Sequence, residues 1–209
     1  MVVPNGADYR FDISSGSPTL IPPLAAGPLR RLRPSMNLKS FIVSALAMAG
    51  IVLLSNLLVQ YPINAWLTWG AFSYPVAYLV TDVCNRSYGP ALARRVAWVG
   101  FATGLALSAT LSPVRVALAS GSAFIVSQLL DVAVFNRLRR QSWWKAPLLG
   151  SAAASVVDTG IFFGLAFAGT GPGWLHLAAG DLGVKLLMAL ALLPPYRLLV
   201  GRLALVPAV

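Results

Sequence analysis

The stretch "MNLKSFIVSALAMAGIVLLSNLLVQ", residues 36–60, decides the fold. From Ser40 to Gln60 it carries no charged side chain. About 20 apolar residues in an α-helix cross the hydrocarbon core of a bilayer. A secretory signal would have a shorter apolar core, of about 7–15 residues, ending in a small-residue cleavage site. The run therefore reads as a retained membrane span, preceded by the basic tract "LRRLRP" at 29–34. Composition agrees. The 209 residues are 57% hydrophobic and 11% charged, with a mean hydropathy of +0.74, whereas soluble domains run near 25% charged. Too few charges remain to build a water-facing surface, so the chain is an integral membrane protein with room for one helical domain.

Working outward, six segments qualify as spans: 39–59, 70–88, 91–111, 114–136, 146–168 and 178–200. Pro75 interrupts the second. Pro90, Pro113, Pro147 and the pair Pro194–Pro195 lie near span ends, where a missing N–H is tolerated or a helix stops. Residues 1–35 are rich in Pro, Ser and Gly and read as a disordered N-terminal extension. That leaves 36–209 as a six-helix transmembrane domain, all-α, and makes Met36 the expected start of the functional chain.

A net charge of +10 does not indicate a nucleic-acid partner here, because the bases fall in short tracts between apolar runs. Arg30, Arg31, Arg33 and Lys39 precede the first span, and 60–70 holds no Lys or Arg. Arg86, Arg94 and Arg95 surround the second turn, and Arg115 alone marks the third. Arg137, Arg139, Arg140 and Lys145 fill the fourth, 169–180 holds none, and Arg197 and Arg202 close the chain. Positive loops face the cytoplasm, so the alternation predicts both termini there. Trp66, Trp69, Trp143, Trp144 and Trp174 fall near span ends, as an interfacial aromatic belt does. The single cysteine, Cys84, and the absence of any Cys/His cluster, Gly-rich phosphate loop or nucleophile elbow argue against a metal, a cofactor or an enzyme.

Only six residues are acidic, and four of them, Asp82, Asp131, Asp158 and Asp181, lie inside predicted spans, as does Lys185. Each costs about 2.5–3.5 kcal/mol at a helix centre. Such residues face the bundle interior and pair, or line a watery cavity. Helical spacing groups them. Tyr74, Tyr78, Asp82 and Arg86 form one stripe. Phe124, Gln128, Asp131 and Phe135 form another, and Ser151, Ser155 and Asp158 a third; Asp181 and Lys185 are four apart. Carboxylates flanked by aromatics suit a flat ligand with N–H donors on its edge. Duller roles stay open: an intrahelical Asp181–Lys185 pair, an Asp82–Arg86 pair at the inner end, and aromatic stripes that only pack. Asp158 has no basic residue in its own span, and Lys185 is its expected partner.

The segments "YPVAYLVTDVCNRSYGPALARRVAWVGF", "SQLLDVAVFNRLRRQSWWKAP", "SVVDTGIFFGLAFAG" and "DLGVKLLMALALLPPYRLLV" resemble the queuosine precursor transporters of the vitamin uptake transporter group. The resemblance runs from about residue 36 to 200. It implies a multi-pass protein of the bacterial inner membrane that carries 7-cyano-7-deazaguanine or its 7-aminomethyl relative inward for tRNA queuosine synthesis. It also implies a fold like the substrate-binding component of energy-coupling-factor transporters. Carried over, the substrate-binding candidates are Asp82, Gln128, Asp131, Asp158, Asp181 and Lys185, with Asn56, Arg86, Tyr78 and Phe124 beside them. Lipid and a small 7-deazapurine are the implied partners. A homo-oligomer and a separate energising ATPase module stay open, the latter as part of an alternative in which the chain only binds another aromatic solute or vitamin.

Overall fold

The computed structural model describes residues 10–12, 19–21, 38–58, 61, 63–64, 67–170 and 173–204. The chain divides into two compact units, Met1–Arg33 and Pro34–Val209. In the first, β1 (Arg10–Asp12) pairs antiparallel with β2 (Thr19–Ile21), placing Phe11 opposite Leu20. The rest of the predicted extension, including Arg30, Arg31 and Arg33, lies outside the described residues, as do Met36 and Trp66.

The second unit is built of helices: α1 (Leu38–Leu58), α2 (Gly70–Ser73), α3 (Val76–Tyr88), α4 (Pro90–Leu111), α5 (Val114–Leu138), α6 (Lys145–Phe167), α7 (Trp174–Ala191) and α8 (Leu193–Ala204). Among the described residues, α1, α5, α6 and α7 are each long and apolar enough to cross a membrane. Large apolar side chains point outward, among them Leu38, Val43 and Leu46 of α1 at 72%, 67% and 67% exposure. Water would not tolerate such a continuous greasy exterior; lipid does. The protein is a multi-pass membrane protein.

Two predicted spans are broken. At 70–88 the chain leaves α2 through Tyr74 and Pro75 before α3 begins, with tight bonds from Ala77 N to Tyr74 O (3.0 Å) and Tyr78 N to Pro75 O (3.1 Å). Pro75 supplies no N–H and displaces the carbonyl four residues back, which divides the helix. At the C-terminal end the expected single span over 178–200 is two helices, α7 and α8, meeting at Leu192. Pro194 and Pro195 occupy the first turn of α8, where no intrahelical donor is required.

Turns are short and keep neighbours antiparallel. Gly89 alone joins α3 to α4 with φ +99°, a conformation glycine reaches without a Cβ penalty, and Pro90 opens α4. At the opposite end Arg115 donates to the carbonyls of Leu165 (2.8 Å) and Ala168 (2.6 Å), capping the last turn of α6. This accounts for the isolated arginine in an otherwise uncharged turn. Helix α5 packs most extensively on α6 and also on α4, and α4 on α1.

Close approach between α1, α4 and α5 depends on Gly100. A Cβ there would sit 2.7 Å from Cζ of Phe124 and 2.8 Å from Cγ of Met48. Gly100→Val is expected to destabilise the bundle by about 1–3 kcal/mol, read as a lower thermal unfolding midpoint in detergent. A midpoint equal to that of the native sequence would show that Phe124 and Met48 yield freely.

Candidate functional site

Parts of the stripes meet where α1, α5, α6 and α7 come together near the short helix α2, which packs on α1 and α7. Between them lies a cavity of about 140 Å³ lined by Asn56, Ala71, Tyr74, Phe162, Asp158, Asp181 and Lys185, among others. This is on the order of ten times the space one buried water needs.

At its floor Lys185 joins two carboxylates. Its Nζ lies 2.8 Å from Oδ2 of Asp158 and forms a second ion pair with Asp181, one turn earlier on α7. Asp158 is only 3% exposed. Its Oδ1 accepts from the hydroxyls of Tyr74 (3.2 Å, α2–α3 junction) and Ser127 (3.2 Å, α5). Thr159 donates to Asp181 at 2.8 Å and also lies 3.3 Å from Lys185 Nζ. Lys185 thus has both expected partners, on its own helix and on the neighbouring one. With two carboxylates and one ammonium, the site has the composition of one net negative charge. Such a buried group is tolerated because the ammonium and both carboxylates are paired and hydrogen-bonded.

Aromatic rings form one wall. Tyr74 meets Phe124 edge to face at 5.9 Å and Tyr78 at 6.4 Å, and Lys185 Nζ stands 5.4 Å from the Tyr74 ring centre. Asn56 projects from the end of α1, with its Oδ1 3.3 Å from Ser108 Oγ and its amide on the carbonyl of Val52.

The remaining candidates stand apart. Asp82, Gln128 and Asp131 form a second cluster deeper in the bundle. Ser151, which reaches Asp82 at 3.5 Å, lies seven residues before Asp158 on α6, a displacement of about 10 Å. Thr81 Oγ1 lies 3.0 Å from Gln128 Oε1 and 3.3 Å from Asp131 Oδ2. Asn85 ties α3 to α5 through the carbonyl of Val132 at 3.1 Å. Arg86 is further out still. The possible Asp82–Arg86 pair is replaced by another contact: Arg86 Nη1 donates to the main-chain oxygen of Arg139 at 2.6 Å. A carbonyl just beyond the end of α5 lies closer to hand than a carboxylate one turn back on the same helix.

Side chains that spacing did not single out are Thr159, Ser127, Phe162 and Thr81. Thr159 neighbours Asp158 but lies about 100° around the helix, off the stripe that grouped Ser151, Ser155 and Asp158. Ser127 shares a similar offset from Gln128. Phe162 lies four residues beyond Asp158 on the same face of α6, past the end of that stripe, whereas Thr159 reaches Asp181 and Lys185 from the adjacent face.

The chain matches the family model described as "Putative vitamin uptake transporter" over residues 68–114 and 106–199. It is 34% identical to the "Queuosine precursor transporter" of Escherichia coli (strain K12), with 73% of this chain and 83% of that protein covered. It is 31% identical to the "Probable queuosine precursor transporter" of Haemophilus influenzae, over 69% of this chain and 79% of the relative. For the protein of the same name from Bacillus subtilis (strain 168) the figures are 34%, 61% and 69%. No solved structure matches the chain. The matched segments hold the cavity's Asp158, Asp181 and Lys185 as well as the deeper Asp82 and Asp131, and the chain belongs to the queuosine precursor transporter family.

Proposed function

We propose that this chain carries queuosine precursors, 7-deazaguanines such as 7-cyano-7-deazaguanine, across the bacterial inner membrane into the cytoplasm for tRNA queuosine synthesis. The observation that carries the proposal is the cavity itself. Asp158 and Asp181 offer acceptors, and Tyr74 and Phe162 line it with aromatic surface. The guanine-like edge presents adjacent ring N–H and exocyclic NH₂ donors, which one carboxylate accepts together. Asp158 is assigned to that edge, Lys185 to the ring carbonyl or to holding Asp158 ionised, and Asn56 to a further hydrogen bond near the mouth. A net negative site favours the aminomethyl form, a cation, over the neutral cyano form.

In this reading the helices make six passages, with α2–α3 and α7–α8 each forming one broken passage. Both termini are cytoplasmic, and the cavity opens outward. The loop-charge pattern supports that orientation. The arrangement is of the kind used by the substrate-binding components of energy-coupling-factor transporters. The chain is a carrier, not an enzyme.

The test is rescue of queuosine-modified tRNA in a strain that neither makes nor imports the precursor, with each 7-deazapurine supplied at low concentration. This chain should restore the modification, the aminomethyl form acting at the lower dose. Failure with both compounds, in cells whose membranes contain the protein, would overturn the proposal.

A further inference from the structure

Below the substrate cavity lies a second, closed space. It is a gap of about 10 Å³, roughly the room of one water molecule. Pro75, Tyr78, Asp82, Ser151, Lys185 and Tyr196 are among the residues that border it. Its lining is shifted in one direction on each element it shares with the cavity. On and beside α3, Tyr74 gives way to Tyr78 and Asp82. On α6, Phe162 and Asp158 give way to Ser151, and along α7 and α8, Asp181 gives way to Tyr196. Every shift runs toward the basic residues of the same helices, Arg86, Lys145 and Arg197. Lys185 borders both spaces, so they share one wall.

The chemistry of the gap repeats that of the cavity. In the cavity Asp158 accepts from Tyr74 and Ser127. In the gap Asp82 stands with Tyr78 and with Ser151, whose hydroxyl is 3.5 Å from its Oδ2. Asp82, Tyr78 and Tyr196 are 2%, 1% and 2% exposed. Asp82 Oδ1 and both tyrosine hydroxyls have no hydrogen-bond partner among the described residues. Buried polar atoms are nearly always satisfied, and an interface that only has to stay shut is as stable with apolar side chains of the same shape. Three unsatisfied atoms around one gap mark a place that a polar molecule occupies for part of a cycle.

A flat bicycle does not fit the gap as it stands, and the wall built to move is α8. Pro194 and Pro195 withhold the two N–H groups that would tie α8 to the carbonyls of Leu190 and Ala191, at the Leu192 bend. Pro75 makes the corresponding break before α3. Pro75 and Leu192 both border the gap. A few residues at the ends of elements are what absorbs a hinge rotation. Helix α8 packs chiefly on α3, and Tyr196 is its buried anchor, with its ring edge to face on Phe135 at 6.2 Å.

We propose that the gap is a second, inward station for the 7-deazapurine, closed by α8, which turns at Leu192 and is latched by Tyr196. Asp82 accepts the guanine-like edge there after Asp158 releases it. The proposal rests on the reading of this chain as a 7-deazapurine carrier.

Two variants separate the station and its gate from the outer cavity. Asp82→Asn removes the inner acceptor, and Pro194→Ala with Pro195→Ala restores the missing N–H groups. In each, affinity for labelled 7-aminomethyl-7-deazaguanine should stay within about twofold of the native value, while uptake into liposomes falls at least about tenfold. Native uptake by Asp82→Asn makes the gap a water site only and overturns the station. Native uptake by the proline variant overturns the hinge. Spin labels on Ala91→Cys and Leu198→Cys, both exposed positions, follow α8 directly in nanodiscs, with the native Cys84 buried. Two distances between the labels are expected without ligand, the longer one minor. Saturating 7-aminomethyl-7-deazaguanine should raise the share of the longer distance several-fold. One unchanged distance under both conditions overturns the gate, and this measurement decides alone should the other variants fail to fold. A native protein that binds neither 7-deazapurine refutes the proposed function instead, and the ligand-free distances then decide whether α8 moves.

Discussion

Lys185→Met is expected to cost this protein more than any other single side-chain replacement. Lys185 is the one cation shared by two carboxylates, with side chains 4% and 20% exposed on Asp158 and Asp181 and 5% on the lysine. Removing it strands both carboxylates, and breaking a buried pair typically costs about 3–5 kcal/mol. That approaches the whole net stability of many proteins. Much less folded protein should be recovered from membranes, with a sharply lowered unfolding midpoint in detergent. The cause can be separated from lost packing. Adding Asp158→Asn to Lys185→Met removes the more deeply buried of the two stranded carboxylates, and the double variant should regain on the order of 1–3 kcal/mol over the single one. If the single variant unfolds where the native protein does, Lys185 does not hold these carboxylates in the folded state.

The second large effect runs the other way. Asp158→Asn keeps the shape and leaves Lys185 paired one to one with Asp181, so folding and insertion should change little. Uptake should not survive. An amide presents one acceptor and an unwanted donor where the carboxylate presented two acceptors, and losing charge-assisted hydrogen bonds to a ligand costs about 1.5–3 kcal/mol. That corresponds to roughly 10–100-fold in affinity, enough to abolish rescue of queuosine-modified tRNA at low precursor concentration. Full rescue by Asp158→Asn at that concentration would remove Asp158 from the substrate contact. The two variants together form a signature: one residue of an ion pair fails in folding, its partner in function.

Much of this was legible in the residues. The uncharged run from Ser40 to Gln60 announces α1, and the spacing of the later apolar runs places α4, α5 and α6 within two residues of their ends. The energetic penalty on intramembrane charge also picked out Asp158 and its partner Lys185. Depth was the missing coordinate. A four-residue stripe such as Tyr74, Tyr78, Asp82 and Arg86 says which way side chains point, but it extends through cavity, deeper cluster and inner end alike. The division between Asp158 and the Asp82–Asp131 pair therefore appears only once α5 and α6 are packed. Arg86 was unreadable for a related reason. Its acceptor is a main-chain oxygen at Arg139, 53 residues away, and carbonyls leave no mark in a sequence.

That last point returns at Pro75. Having no N–H, it leaves the carbonyl of Ala71 without its helical donor, and Ala71 borders the cavity. A ligand held by that oxygen would leave no trace in an alanine scan, because the alanine is already there. Replacing Pro75 by a residue that restores the N–H is the substitution that would register it, through the peptide bond before Phe72.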